Sequence, residues 1–145
     1  MATMGRPDEL PEVTRLRVIY GDTDQMGVVY YANYLRYFEA GRNELLRRLG
    51  VSYRSFEEAE GRLLPVVEAA VRYRRPARYD DELGIHVAIS QVGRASLTFV
   101  YAIRRVGDGE ELVTGQTVHA CIDAAGKLAR IPDAIRTAIV GRGTP

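Results

Sequence analysis

The chain has 145 residues, 46% of them apolar and 27% charged, which are the proportions of one globular domain with a real core. A net charge of +1 gives no electrostatic case for a nucleic-acid binder, and a single cysteine, Cys121, excludes a disulfide within the chain. No apolar leader or membrane-length apolar run is seen, so a reducing, cytoplasmic home without an integral membrane segment is expected.

Residues 1–12 are polar and contain proline, and disorder is expected there. From Val13 the residues alternate, which predicts a strand ending at Gly21. The turn "GDTDQMG" (21–27) follows. From about Tyr31 to Leu49 the spacing becomes helical. Tyr31, Tyr34, Leu35, Phe38, Leu45, Leu46 and Leu49 share one stripe, and Gly50 is placed to stop the helix. Such a helix is roughly 28 Å long, about one domain diameter. A second short helix is expected in "SYRSFEEAEG" (52–61).

The remainder reads as strands. "RLLPVVEAAVRYRRPARY" (62–79) is extended, and Pro65 and Pro76 argue for an edge position or bends. "ELGIHVAISQV" puts Leu83, Ile85, Val87 and Ile89 on one face. "RASLTFVYAIRRV" does the same with Leu97, Phe99, Tyr101 and Ile103. "GDGE" (107–110) is a hairpin signal, and "ELVTGQTVHACIDAAGKL" is the last strand plus a turn. "IPDAIRTAIVG" (131–141) is compatible with a terminal helix. The order strand, long helix, four strands predicts an α+β domain with the helix buried against a five-stranded antiparallel sheet.

The chemistry concentrates in "GDTDQMGVVYYANY" (21–34). A calcium loop starting at Asp22 would have Asp24 and Gly27 in place, but Met26 offers no hard oxygen at the fifth position and Asn33 stands where a bidentate glutamate belongs. A plain turn with a helix start is the simplest reading of the residues. The same physics also allows an active site. A helix N-terminus offers free N–H groups to a developing oxyanion, and a nearby carboxylate can attack a carbonyl or activate water. His86 and His119 lie on predicted strands and read as packed residues; Cys121 reads as a buried thiol. Glu39 and Arg42 are spaced as a helical pair. Arginines cluster at 72, 74, 75 and 78, as a solvated face or a phosphate contact.

"YGDTDQMGVVYYANYLRYFEAGR" resembles the signature segment of the 4-hydroxybenzoyl-CoA thioesterase-like branch of hotdog-fold enzymes. "YRRPARYDDELGIHV" and "GRASLTFVYAIRR" resemble two further family segments, so the likeness spans roughly Arg15 to Pro132. It implies a single hotdog domain over 13–141 that hydrolyses an acyl- or aryl-CoA thioester, with no cofactor and no metal. The family's catalytic carboxylate falls on Asp24, as nucleophile or general base. Its backbone oxyanion donor falls on Tyr31, where many relatives carry histidine. Asp22, Thr23 and Asn33 are then expected to shape the turn. The CoA moiety would be held by Arg94, Ala95 and Ser96, with Arg72, Arg74 and Arg75 as helpers. The resemblance further implies a homo-oligomer, a dimer of dimers, with sites at subunit interfaces. The acyl group stays open among short-chain, aryl and long-chain CoA esters and acyl-carrier-protein thioesters. The alternative is a non-catalytic module binding acyl-CoA or acyl-carrier protein. A dehydratase is weaker, since neither histidine lies in the Asp24 segment.

Overall fold

The computed structural model describes residues 10–51, 54, 57 and 61–143. Strand β1 spans Glu12–Arg17 and is followed by a single 3-10 turn at Tyr20–Asp22. Helix α1 covers Asn33–Arg48. Strands β2 (Val66–Tyr73), β3 (Glu82–Val92), β4 (Ser96–Arg105) and β5 (Glu111–Ala120) come next, and helix α2 (Asp133–Gly143) ends the described chain. The five strands form one sheet in the order β1-β3-β4-β5-β2, and every pair is antiparallel. The proline-flanked strand β2 takes an edge, where a missing N–H costs the ladder nothing. The expected short helix at 52–61 lies largely outside the described residues; Arg54 and Glu57 are helical. Residues 1–9, most of the segment expected to be disordered, also lie outside them.

Alternation decides which face is buried. Leu83, Ile85 and Val87 of β3 and Leu97, Phe99, Tyr101 and Ile103 of β4 are all buried on the face that receives α1. Phe38 of α1 stacks on Tyr101 with centroids 4.1 Å apart and planes 7° from parallel. At Gly41 the helix comes so close that a Cβ would meet Ile85 Cγ2 and Val87 Cγ2 at 2.6 Å. Burying a side chain such as Phe38 stabilises the fold by about 1.5–3 kcal/mol. Ile131, Ile135 and Ile139 bring α2 into the same core. On the opposite face Leu10 packs on Val100 and Ala102, and the Pro11 carbonyl accepts from the Val87 N–H at 3.1 Å.

The helix stripe differs from the expected one at three residues. Tyr31 and Leu35 are exposed, at 61% and 40%, while Tyr37 is buried. The helix begins only at Asn33, so Tyr31 precedes it, and the partner of Tyr37 is a turn carboxylate rather than the sheet.

Candidate active site

The segment between β1 and α1 is held by its own backbone. Thr23 donates to the Tyr20 carbonyl through both its N–H (3.0 Å) and its hydroxyl (2.8 Å). Asp24 then opens a tight turn. Its N–H donates to the Val28 carbonyl at 2.9 Å and its carbonyl accepts from the Gly27 N–H at 3.0 Å. Gly27 sits at φ +80°, a conformation that costs glycine little and most other residues more. Val29 ties the returning chain to the Ala77 carbonyl at 2.8 Å.

This geometry separates the two aspartates. Asp22 is buried, with 6% exposure. Its carboxylate accepts from the Tyr37 hydroxyl at 2.8 Å and from Arg36 Nη1 at 3.1 Å. Its carbonyl accepts from the Tyr30 N–H at 2.8 Å and from Asn33 Nδ2 at 2.9 Å. Burial, and then the Asp22 carboxylate, push the Tyr37 phenol far above its ordinary range, so it remains a donor. Asp24 is only half-buried. Its Oδ1 accepts from the Met26 N–H at 2.9 Å, and its Oδ2 has no hydrogen-bond partner among the described residues.

The helix start beside it is uncapped. Ala32 holds the N-cap position with helical angles and offers no side-chain acceptor. Asn33 and Leu35 donate back to the carbonyls of Tyr30 and Ala32. The N–H groups of Tyr31 and Ala32 have no acceptor among the described residues. The Tyr73 hydroxyl, on edge strand β2, donates to the Tyr31 carbonyl at 3.1 Å, and the two rings meet edge to face. Burial raises the Tyr73 phenol pKa and keeps that proton in place. A cleft of about 270 Å³ joins these groups, lined by Asp24, Met26, Tyr31, Tyr34 and Tyr73 together with Arg74 and Arg75. The Tyr34 hydroxyl accepts from the Ala77 N–H at 3.1 Å, fixing that wall.

Arg94, Ala95 and Ser96 are not part of this cleft. They form the β3–β4 turn, with Ser96 registered on Ala120 at one end of the sheet. Tyr73 registers on Val113, and Val113 on Ile103, at the other end. Ser96 and Ile103 are seven residues apart along β4, roughly 24 Å at about 3.4 Å each. Arg74 and Arg75 do reach the cleft, while pairing with Glu111 (3.3 Å) and Glu110 (3.6 Å). Arg72 is exposed on β2. Glu39 and Arg42 make no ion pair with each other among the described residues.

Neither histidine is in the cleft. His119 is buried, and its Nδ1–H donates to the Leu64 carbonyl at 2.9 Å, which fixes Nε2 as an acceptor for the Thr117 hydroxyl at 2.8 Å. Thr117 in turn accepts from the Tyr101 hydroxyl at 2.6 Å. Burial lowers the His119 pKa and keeps the ring neutral. His86 Nδ1 meets the Leu10 carbonyl at 2.8 Å. Burial pushes the Cys121 thiol up, away from reactivity. Sequence reasoning missed Tyr73 and Tyr37. Tyr73 stands between Arg72 and Arg74 within the arginine-rich segment, and nothing in that local pattern signals its contact with Tyr31, 42 positions away. Among the described residues no cluster of His, Cys, Asp or Glu is placed to hold a metal ion.

A long helix laid across an antiparallel sheet of this strand order is the hotdog fold, and in this protein an open carboxylate stands beside the helix start. The chain belongs to the thioesterase-like superfamily, whose profile matches residues 18–139. It is 36% identical over 110 residues to the acyl-CoA thioester hydrolase YbgC of Escherichia coli, covering 74% of this chain and 79% of that one. It is 34% identical to the 1,4-dihydroxy-2-naphthoyl-CoA hydrolase of Synechococcus elongatus, with the same two coverages. The crystal structure of Slr0204, a 1,4-dihydroxy-2-naphthoyl-CoA thioesterase from Synechocystis, superposes with a TM-score of 0.83 at 27% identity, covering 91% of this chain and 97% of that one.

Proposed function

We propose that this protein is an acyl-CoA thioesterase, a single domain over residues 13–141, in which Asp24 and the Tyr31 N–H carry the reaction. One observation supports this most directly. Asp24, with one carboxylate oxygen unpartnered among the described residues, and Tyr31, with its N–H likewise unpartnered at the helix start, line one largely apolar cleft. The thioester carbonyl oxygen accepts from the Tyr31 N–H, and the helix dipole stabilises its negative charge as the tetrahedral intermediate forms. Asp24 acts in one of two ways. As a base it takes a proton from water, whose oxygen bonds to the carbonyl carbon. As a nucleophile it forms an anhydride that water then opens. In both routes the C–S bond breaks, CoA leaves as the thiolate and takes up a proton, and the free acid remains. The backbone donor needs no imidazole, so Tyr31 serves as well as histidine in that role.

The separation of Arg94–Ser96 from the cleft favours a site completed by a second subunit. Strand β2 is an exposed edge carrying Val66, Val67 and Tyr73 at its surface. Two copies of β2 paired antiparallel about Ala70 would set Glu68 of each against Arg72 of the other. This dimer would be the unit that repeats in a dimer of dimers.

The test is thiol release over a panel of acyl- and aryl-CoA esters. Asp24→Asn keeps an oxygen for the Met26 N–H, so the turn survives, but it supplies neither nucleophile nor base. Turnover is expected to fall by about 10²–10⁴-fold with an unchanged melting temperature. Wild-type turnover in that variant, or acyl-CoA binding without thiol release in the native protein, overturns the reading.

A further inference from the structure

The β3–β4 turn is gripped by a residue far from it in sequence. Arg136 Nη2, on α2, donates to the Gly93 carbonyl at 2.9 Å and reaches the Arg94 carbonyl at 3.4 Å. The Arg94 carbonyl also accepts from the Ile131 N–H at 2.8 Å. The Ala95 carbonyl accepts from the Cys121 N–H, and the Ser96 carbonyl from the Gly93 N–H, both at 2.8 Å. All four carbonyls from Gly93 to Ser96 are therefore engaged. The N–H groups of Arg94 and Ala95 have no acceptor among the described residues. Bound carbonyls and successive free amides give a turn the polarity that suits an anion. The exposed Arg94 side chain stands on this turn. Arg130, exposed and paired with Asp133 at 3.4 Å, is the neighbour of Ile131 and adds a third guanidinium to the same end of the sheet. Arg136 Nε is buried and has no hydrogen-bond partner among the described residues.

We propose that Arg136 is a positioning residue for the phosphates of CoA, pinning the Gly93 and Arg94 carbonyls so that the turn presents amides and arginines to the anion. This rests on the reading of Arg94–Ser96 as the CoA contact. Without the guanidinium, the Gly93 carbonyl loses its only side-chain donor among the described residues and is free to turn its lone pairs toward a phosphate. The charge of Arg136 also adds to the attraction. The motif in sequence has only Arg94; the fold supplies the further cations from the C-terminal segment.

The experiment compares one acyl group carried on CoA and on N-acetylcysteamine, which keeps the thioester and lacks every phosphate. Arg136→Gln is expected to raise KM for the CoA ester roughly tenfold, equivalent to about 1.4 kcal/mol. Its kcat, and its kcat/KM for the truncated thioester, should stay within about twofold of the native values. Arg136→Lys, which keeps the charge and a donor, should recover most of the loss. Equal losses on both thioesters would mean a merely structural role and would overturn the proposal, as would an unchanged KM. Arg94→Gln distinguishes the layers. If it raises KM and Arg136→Gln does not, the positioning claim alone falls. If neither does, the CoA contact itself is misplaced. A readout independent of variant folding is the side-chain Nε–H resonance of Arg136 in the native protein. CoA should move it and pantetheine should not; no movement at saturating CoA overturns the proposal.

Discussion

A hydroxyl that donates to a buried carboxylate is costly to remove, because the carboxylate cannot recover water in its place. Tyr37→Phe is therefore expected to destabilise the protein by about 1–3 kcal/mol, read as a lower urea midpoint at unchanged slope. Asp22 lies 15 positions from Tyr37, and nothing in the helical spacing announces that partnership. Turn chemistry and the family segment together lead one to expect a turn-shaping residue at 22 and a reactive one at 24, and the bonds Asp22 makes to Tyr37 and Arg36 agree with the first of these. The sequence could not show that the carboxylate at 22 would be buried. A second residue-scale prediction concerns pH. His119 is held neutral by burial below its ordinary value of 6.5, so between its folded value and 6.5 the unfolded chain binds more protons. Stability should fall as pH drops through about 6.5, and His119→Gln should flatten that slope in pH-dependent denaturation.

At the scale of elements, the helix–sheet contact sets the tolerances. Alanine at position 41 would gain about 1 kcal/mol of helix propensity over glycine. Its Cβ, however, would meet two sheet methyls at 2.6 Å, and overpacking of this kind costs about 1–3 kcal/mol. Gly41→Ala is thus expected to lower the melting temperature, and a higher one would show that the helix can lift away. The long elements were legible because their periods are clean, as in Leu97 to Ile103 on β4. The helix start was read about two residues early, since Tyr31 continues the apolar spacing although the backbone is not yet helical. The arginine grip on the β3–β4 turn was not legible, because a side chain reaching a carbonyl 43 positions away leaves no local pattern.

For the whole molecule, the proposed pairing of β2 strands makes a charge-swap prediction. Arg72→Glu should set like charges across the interface, yield monomers in light scattering, and lose activity with assembly. Glu68→Arg combined with Arg72→Glu should restore both. Native-like dimers in the single variant would mean that another surface pairs. The prolines at 65 and 76 pointed to an edge position or bends for β2, whereas the strand order, and the distance between the two groups of candidate residues, emerged only once the strands were in register.

The hydroxyl of Tyr73 touches the peptide group of Tyr31 from a strand that lies on the sheet edge. Association at that edge and occupancy of the cleft would then be linked equilibria, each strengthening the other by the same factor. The specific activity of a dilute solution should fall below that of a concentrated one, and a saturating thioester analogue should postpone the fall to lower protein concentration.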